Sequence, residues 1–534
     1  MTSSDQRDTA TRDELLRLAR KQGIPGRSRM TRAQLAAELA ERDGPAARPD
    51  ADQQAPDQPA PEQKAPDQQT DGQPTAGQRP HGRAIASRVE AFRRMAEARA
   101  AGEMVLIPRM LTGNDRRVHV RQTVREDHEM RIAGHAIEAQ EKFDKLAGSV
   151  YHFFRGTNLL FYRDLVGEDA RLPTVLALGD VHPGNFGVMP SADNVPIFGV
   201  NDFDDAYYAP FTWDLKRGAV GFVLAAGEKG GHGPDKQRAI TRRFLTGYVE
   251  GMASYAADAT EDSEQLRLDN APPLIAELIA GALETTRSEW LAGLLDETRG
   301  GFRTNDEVVP VSSRRAEFQD VVERFVEGNQ VPVPERAGRM RVKDVAERKS
   351  AGTASLGLPR FFVLIEGPRA DGTDDLLLEF KQARRSALSG LVPPSEYQMD
   401  GMADRIRHAQ RVHLVNGDVF YGSVDIDGRS FMVRERAPFR DSISLGKLSR
   451  REWKEYAEIC GRVLAHTHAM SDDSGNVDYD VEPAILEAIG SRELFVDDVL
   501  RFAEEAAARV RQDHEYFVAD HALGAFRNVD VVYR

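Results

Sequence analysis

The chain of 534 residues has a single cysteine and no long apolar run. The lone Cys460 excludes an intrachain disulfide framework and a zinc site with several cysteine ligands. The longest apolar run, near residues 219–226, is far shorter than the ~20 residues that span a bilayer. The polar start, residues 1–12, lacks the apolar segment of a secretory signal. We therefore expect a cytoplasmic protein without membrane contacts.

An excess of positive charge is also lacking. The chain holds 71 lysine and arginine residues against 85 aspartate and glutamate residues, so its formal net charge is −14. This balance excludes a polycation that coats nucleic acid, and any such contact must come from a local basic patch. The length favours two to four domains.

Residues 1–43 have the pattern of a small helix-loop-helix module. Thr11 with Glu14 and Thr31 with Gln34 each predict a capped helix start, and leucines at helical spacing follow both. The pattern resembles the SAP-like and Rho termination factor N-terminal modules. Six of its basic residues lie between positions 17 and 32 and would suit phosphate contacts with nucleic acid, and a solvated tether is the other interpretation. These residues are Arg17, Arg20, Lys21, Arg27, Arg29 and Arg32.

The rest of the chain divides by composition. Residues 44–83 are rich in Ala, Pro, Asp and Gln and have almost no large apolar side chain, which predicts a disordered linker. The remainder alternates helical and strand patterns and predicts an α+β fold. Within it we predict a large-lobe-like region at 84–330, a small-lobe-like region at 331–447 and C-terminal helices at 448–534 that complete the large lobe. Predicted helices are 86–101, 130–147, 213–227, 236–257, 273–297, 450–470 and 483–514. Predicted strands are 174–179, 186–189, 196–202, 360–366, 375–382, 418–425 and 429–435.

Two apolar strands each deliver carboxylates onto a following loop. The first loop carries Asp180, His182 and Asn185, and the second carries Asp202 and Asp204. Phosphoryl transfer needs one carboxylate that orients or deprotonates the acceptor hydroxyl. It also needs carboxylate and amide oxygens that hold Mg²⁺ against the nucleotide phosphates. The assembled set predicts such a site, whereas an isolated Asp-Phe-Asp would indicate a turn with solvated carboxylates.

The same stretch resembles the catalytic loop and metal motif of aminoglycoside and choline kinase-type phosphotransferases. The shared form is Gly-Asp-x-His-x-x-Asn, then Asp-Phe-Asp, then a Trp-Asp-Leu helix start. By this resemblance Asp180 is the catalytic base and His182 positions the loop. Asn185 and Asp202 are metal ligands, and Asp204 is a second metal or phosphate contact.

The Trp-Asp-Leu helix start contributes one more residue to this resemblance. Asp214 is implied to support the catalytic loop from below. Beside it, Lys216 and Arg217 would bind an anionic substrate together with Arg155 and Arg163. Lys216 and Arg217 are equally well interpreted as a solvated turn of helix.

A glycine-rich turn and a strand lysine predict the nucleotide contacts. Gly352, Ser355 and Gly357 precede an apolar strand and would direct backbone N–H groups at phosphate oxygens. Lys381 ends the next strand and would pair with the α- and β-phosphates. ATP and Mg²⁺ are the expected cofactors. An ordinary hairpin turn and an exposed lysine are the alternative interpretation.

The acidic partner of Lys381 is not evident from the sequence. Glu396 is the nearest later glutamate, and we expect Glu379 to point to the opposite face of the strand. The strand 430–436 is the predicted hinge for the adenine. In ordinary kinases the catalytic loop and the metal aspartate follow the glycine-rich loop, the lysine and the hinge, whereas here they precede them, which predicts a circularly permuted, kinase-like two-lobed fold.

Most of residues 85–520 also resembles the bacterial family known as domain of unknown function 2252. The matching motifs are Phe154-Arg155-Gly156, the Gly-Asp-x-His-x-Gly-Asn-Phe-Gly run from Gly179, Asn-Asp-Phe-Asp-Asp from Asn201, Trp-Asp-Leu-Lys-Arg from Trp213 and Phe380-Lys381-Gln382-Ala383. This resemblance implies family membership without an activity.

The sequence therefore favours an ATP- and Mg²⁺-dependent phosphotransferase that acts on a small hydroxylated molecule. Two alternatives remain. One is a catalytically silent nucleotide-binding regulator that contacts nucleic acid through residues 1–43. The other is a nucleotidyl transferase.

Overall fold

The structure, a computed structural model, describes residues 15, 32–42, 83–103, 107–134, 136–349, 357–393, 399, 401–472 and 476–527. The chain divides into two units, residues 1–90 and 91–534. Helices and antiparallel strands both occur, which confirms the α+β class. Residues 44–82 of the predicted linker lie outside the described residues, as do Gly352 and Ser355.

The first unit contains helix α1 (Arg32–Arg42). It begins directly after Thr31, and its Leu35 and Leu39 are buried, as the spacing predicts. Of the first predicted helix only Leu15 is described, and it is helical and buried.

Most of the second unit is helical. Its helices are α2 (Arg83–Ala100, which begins in the first unit), α3 (Gly113–Asp127), α4 (Glu129–Gly134), α5 (Ala136–Ala147), α6 (Val150–Gly156), α7 (Asn158–Arg163), α8 (Phe211–Glu228), α9 (Pro234–Asp258), α10 (Pro273–Ala282), α11 (Arg287–Ala292), α12 (Arg315–Asn329), α13 (Ala403–His413), α14 (Arg450–Ala469), α15 (Val481–Ile489) and α16 (Arg492–Ala522). Among these described helices, none combines the length and the apolar character needed to cross a membrane.

Helix α8 lies at the centre of the main core. Nearly every side chain along it is buried, as expected for a helix that is apolar on all sides. It packs against α6, α9 and α16, and α9 packs in turn along α14. Strand β1 (Thr174–Ala177) also contacts α8, so the helix supports the loop that follows this strand.

The other strands are β2 (Phe186–Pro190), β3 (Pro196–Val200), β4 (Tyr207–Pro210), β5 (Val308–Pro310), β6 (Val342–Arg348), β7 (Arg360–Ile365), β8 (Leu376–Gln382), β9 (Gly422–Ile426) and β10 (Arg429–Glu435). Six of them form one antiparallel sheet in the order β5-β6-β7-β8-β10-β9. Helix α12 covers one face of this sheet through Phe318 and Phe325. The elements of this sheet extend across the boundary predicted at residue 331.

Two small antiparallel pairs, β1–β4 and β2–β3, position the carboxylate loops. Loop 1 (residues 178–185) connects β1 to β2, and loop 2 (residues 201–206) connects β3 to β4. Ala177 pairs with Tyr207 and Phe186 pairs with Val200, so both loops leave from the same strand ends. The N–H of Asn201 donates to the carbonyl of Asn185 at 3.0 Å.

The structure corrects several predicted elements. The helix predicted at 273–297 is two helices, α10 and α11. The helix predicted at 483–514 breaks at Gly490, whose φ of +57° ends α15. The strand predicted at 418–425 is displaced to β9, because Asp427 and Gly428 both adopt positive φ in the two-residue turn to β10.

Gly179 is required where loops 1 and 2 meet. Its φ is +74°, and a Cβ there would lie 2.3 Å from the carbonyl oxygen of Asp205. Gly179→Ala should therefore lose about 1–2 kcal/mol from the left-handed backbone and about 1–3 kcal/mol more from the clash. Urea unfolding of the full chain measures this loss. Gly231→Ala is the matched control, with φ of +62° and open space around the new methyl group. Equal losses at both glycines would contradict the close contact between the loops.

Candidate active site

The carboxylate of Asp180 is fixed by a buried arginine. Arg217 of α8 donates to Asp180 Oδ1 from Nε at 2.9 Å and from Nη2 at 2.7 Å. Its guanidinium also donates to the carbonyl of Phe154 at 3.0 Å and to Asn158 Oδ1, and it lies 4.1 Å from the Phe154 ring centroid. Arg217 is thus fully buried, which overturns its interpretation as a solvated turn of helix.

The second oxygen of Asp180 is the one that can act on a ligand. Burial raises the pKa of Asp180, and the opposing charge of Arg217 reduces this rise. Within the described part of the chain, Oδ2 accepts no hydrogen bond and lies 3.7 Å from Nε2 of His182. A carboxylate with one anchored oxygen and one available oxygen can orient or deprotonate a hydroxyl group.

His182 is buried and holds the shape of loop 1. Its Nδ1 accepts from the N–H of Gly184 at 3.0 Å, and Arg155 Nε lies 3.0 Å from its Nε2. Burial and the charges of Arg155 and Arg217 lower the pKa of His182 well below its usual range, so the ring is neutral. Both ring nitrogens therefore face a donor, the Gly184 N–H at Nδ1 and the Arg155 Nε–H at Nε2.

Asp214, near the start of α8, contacts the backbone of loop 1. Its two oxygens accept from the N–H groups of Leu178 at 2.6 Å and Gly179 at 3.0 Å, directly before Asp180. His468 Nε2 lies 3.2 Å from the same carboxylate, and Tyr248 binds the other ring nitrogen at 2.8 Å. All of these groups are buried.

Loop 2 carries Asp202 and Asp204, whose ionisation differs. Burial and the neighbouring Asp204 charge raise the pKa of Asp202. Burial also opposes ionisation of Asp204, but Lys381 outweighs it and lowers the pKa of that carboxyl. Lys381 Nζ contacts Asp204 Oδ2, whereas the buried Oδ1 has no hydrogen-bond partner among the described residues. That oxygen is suited to a metal ion or a further donor.

Three arginines that the motifs did not indicate hold loop 2 in place. Arg384 donates to Asp205 Oδ2 at 2.8 Å, and Arg405 donates to the carbonyls of Asp204 at 2.7 Å and Ala206 at 2.5 Å. Arg434 approaches the carbonyl of Asn201 at 3.5 Å. Only Arg384 had a sequence signal, because it closely follows the Phe-Lys-Gln-Ala motif.

Of the remaining predicted site residues, the structure describes Asn185 and Gly357. Asn185 donates from Nδ2 to the carbonyl of Asp180 at 2.7 Å, which leaves its amide oxygen for another partner. Gly357 has a φ of +78° and precedes Pro359, whose carbonyl accepts from Gln382 beside Lys381. Gly352 and Ser355, the other two residues of the predicted phosphate loop, are not among the described residues.

The expectation for Glu379 is wrong. Residues two apart on a strand share a face, so Glu379 and Lys381 point to the same side of β8. Glu379 accepts from Arg434 Nε at 2.7 Å and lies 3.3 Å from Arg360 Nη1. The acidic partner of Lys381 is Asp204.

A sequence profile for a family described as "Uncharacterized protein conserved in bacteria (DUF2252)" matches residues 136–520. The chain belongs to this family. Both carboxylate loops and Lys381 of the DUF2252 protein fall within the match. Comparisons with curated proteins and with solved structures find no match.

Removal of Arg217 from this DUF2252 protein should leave Asp180 buried without a counter-charge. We expect Arg217→Met to lower the free energy of unfolding by about 3–5 kcal/mol. Adding Asp180→Asn should restore part of this loss, because the unpaired charge is removed. Arg462→Met breaks an exposed pair with Glu250 and should change stability by about 0–1 kcal/mol. Urea unfolding compares the four proteins, and equal losses in the two single variants would contradict a structural role for the buried pair.

Proposed function

We propose that this DUF2252 protein is an ATP- and Mg²⁺-dependent phosphotransferase with a kinase-like, circularly permuted two-lobed fold. Its acceptor would be a small hydroxylated molecule. The contact between Lys381 and Asp204 carries the proposal. It brings the strand lysine of the six-stranded sheet against the loop of acidic residues that follows β3.

The residues present fit a magnesium ion. Asp202, Asp204 and the amide oxygen of Asn185 are hard oxygen donors on two facing loops, and Mg²⁺ prefers such donors. The buried, unpartnered Oδ1 of Asp204 supports the assignment, because a buried carboxylate oxygen is unfavourable without a partner. When bound, Mg²⁺ would neutralise charge on the transferred phosphoryl group.

The side chains then have separate roles in this mechanism. Lys381 would donate to a phosphate oxygen once its contact with Asp204 is exchanged. Asp180 would orient the acceptor hydroxyl and take its proton at Oδ2, while Arg217 keeps Oδ1 fixed. The raised pKa of Asp180 suits proton acceptance better than that of an exposed aspartate. His182 is neutral and would keep loop 1 in position.

Chain order supports the circular permutation. Loops 1 and 2 precede the sheet with Lys381, and α14 follows that sheet. The helices α8, α9, α14 and α16 would correspond to a large lobe, and the sheet with α12 to a small lobe. Because α14 packs along α9, the C-terminal part of the chain completes the helical core formed by the earlier part.

A catalytically silent nucleotide-binding regulator is the second candidate. The ion pair between Lys381 and Asp204 favours it, because the two groups that should bind phosphate and metal neutralise each other. In this second candidate function, the SAP-like residues 1–43 would bind nucleic acid. Salt-sensitive binding of DNA or RNA that is lost on deletion of this module, without ATP consumption, would support it.

Metal-dependent nucleotide binding should stabilise the full chain. At a hundredfold excess of Mg²⁺-ATP over its dissociation constant we expect a gain of about 2.7 kcal/mol, seen as a rise in the unfolding temperature. Asp202→Asn should abolish the gain. Asp193→Asn removes a mostly exposed carboxylate and should keep it. No shift in the unmodified chain with any nucleotide would overturn the proposal.

A turnover assay distinguishes the phosphotransferase from the silent nucleotide-binding regulator. Asp180→Asn should retain most of the nucleotide-induced stabilisation and lose ADP release with a panel of hydroxylated small molecules, because only its proton acceptor is removed. Full turnover in this variant would exclude Asp180 as the base. Binding without turnover in the unmodified chain would favour the silent regulator. The mass of any product distinguishes phosphoryl from nucleotidyl transfer.

A further inference from the structure

The two faces of the six-stranded sheet differ in chemistry. The face under α12 is apolar and includes Phe361, Val363, Leu378, Phe380 and Val433. The opposite face is apolar only at one end, where α11 packs near it. At the other end, beside Lys381, the side chains are charged.

The strand register brings these charges together. Arg434 pairs with Glu379, and Arg360 pairs with Lys381. Arg348 lies one position beyond the Glu347–Phe361 pair, on the same face as Arg360. Arg436 follows Arg434 by two residues and therefore shares its face. We call the arginines of this region, together with the nearby Arg440, the arginine cluster; it comprises Arg348, Arg360, Arg434, Arg436 and Arg440.

Glu379 is the carboxylate at the centre of the cluster. Arg434 and Arg360 contact its two oxygens. Burial opposes the ionisation of Glu379, yet the charges of Arg434, Arg360, Arg436 and Arg440 lower its pKa well below the usual range. Arg348 also lies 3.5 Å from Glu307, and the charge of Asp202 acts on Arg434, so the five arginines face three carboxylates and keep an excess of positive charge.

Two members of the cluster have no carboxylate in direct contact, and the charge of Glu379 reaches them only at longer range. The half-buried side chains of Arg436 and Arg440 make no hydrogen bond or ion pair within the described part of the chain. Burial and the neighbouring arginines lower the pKa of Arg436 to about 10 and that of Arg440 to about 9. Like charges held together in partial burial disfavour folding unless something else neutralises them.

We infer that the arginine cluster binds a multiply charged anion of the oligophosphate class. Guanidinium groups bind phosphate through paired hydrogen bonds. Arg348 lies on β6, Arg360 on β7 and Arg434 on β10, with β8 between the last two, and Arg436 and Arg440 follow β10, so the site spans three strand spacings of ~4.8 Å each. That width suits a chain of several anionic groups better than a single small ion.

The inference holds whether or not the protein transfers phosphoryl groups. The oligophosphate could be the phosphate chain of a nucleotide or part of an anionic acceptor. Both sources would present linked anionic groups to the arginines, and a competition experiment with Mg²⁺-ATP distinguishes them. If the cluster binds the nucleotide, Mg²⁺-ATP displaces inorganic tripolyphosphate, whereas an acceptor site binds tripolyphosphate together with Mg²⁺-ATP. Both results support the anion site.

The direct test is calorimetric titration of the full chain with inorganic tripolyphosphate, without Mg²⁺ and at low ionic strength. The double variant Arg436→Gln with Arg440→Gln should bind at least tenfold more weakly. Arg429→Gln, an exposed arginine at the far end of β10, should bind within twofold of the unmodified chain. Affinity should fall as salt is added, because ions screen the contact. No binding by the unmodified chain, or equal binding by all three proteins, overturns the inference.

Two further variants test the anion site without relying on a loss of binding, which misfolding could cause, or on catalytic activity. Glu379→Gln removes the carboxylate that competes for Arg360 and Arg434, so tripolyphosphate should bind severalfold more tightly. Weaker or unchanged binding by a folded Glu379→Gln protein counts against the site. Asp202→Asn removes a negative charge that acts on Arg434, so it should bind tripolyphosphate at least as tightly as the unmodified chain, even where Mg²⁺-ATP no longer stabilises it. Failure of the proposed phosphotransferase and failure of the anion site therefore give different results.

Discussion

The candidate site depends on two strand pairings, that of β1 with β4 and that of β2 with β3. They force loops 1 and 2 to leave from the same strand ends, with the backbone of Asn201 bonded to that of Asn185. Gly179 and Asp205 touch at this junction, where no side chain fits. Asp180 and Asp202, 22 positions apart in sequence, are therefore carried by neighbouring loops. Without these pairings, the carboxylates would be isolated acidic turns.

The charged partner of each carboxylate then determines which of its oxygens is available to a ligand. Asp180 is held by Arg217, Asp204 by Lys381 and Asp205 by Arg384. Buried ion pairs stabilise a fold only weakly, because desolvation offsets much of the attraction. Such pairs do fix direction, and here Oδ2 of Asp180 and Oδ1 of Asp204 are the oxygens left without a hydrogen bond among the described residues. In contrast, the five arginines of the arginine cluster outnumber the carboxylates that act on them, which is why we assign the remaining counter-charge to a ligand.

The sequence predicted the long apolar elements well and the short or polar ones poorly. Helices α8, α9 and α14 follow the predicted ranges within a few residues, because their apolar spacing is continuous. Strand β6 was missed because Lys343, Asp344 and Glu347 interrupt its alternation. Glu379 was assigned to the wrong face of its strand because the two-residue period of a β-strand was misapplied, and no tertiary contact was needed to place it correctly. The family assignment from the motifs was confirmed, whereas the catalytic roles of the site residues remain predictions.

The sequence by itself determined which residues stand at the ends of β1 and β3, because an apolar run followed by Gly-Asp or Asn-Asp is a local pattern. Only the tertiary structure decided the partners. Arg217 lies 37 residues from Asp180, and Lys381 lies 177 residues from Asp204. Such pairs form when helices and sheets pack, and nothing in the local sequence distinguishes a buried arginine on an apolar helix from a solvated one.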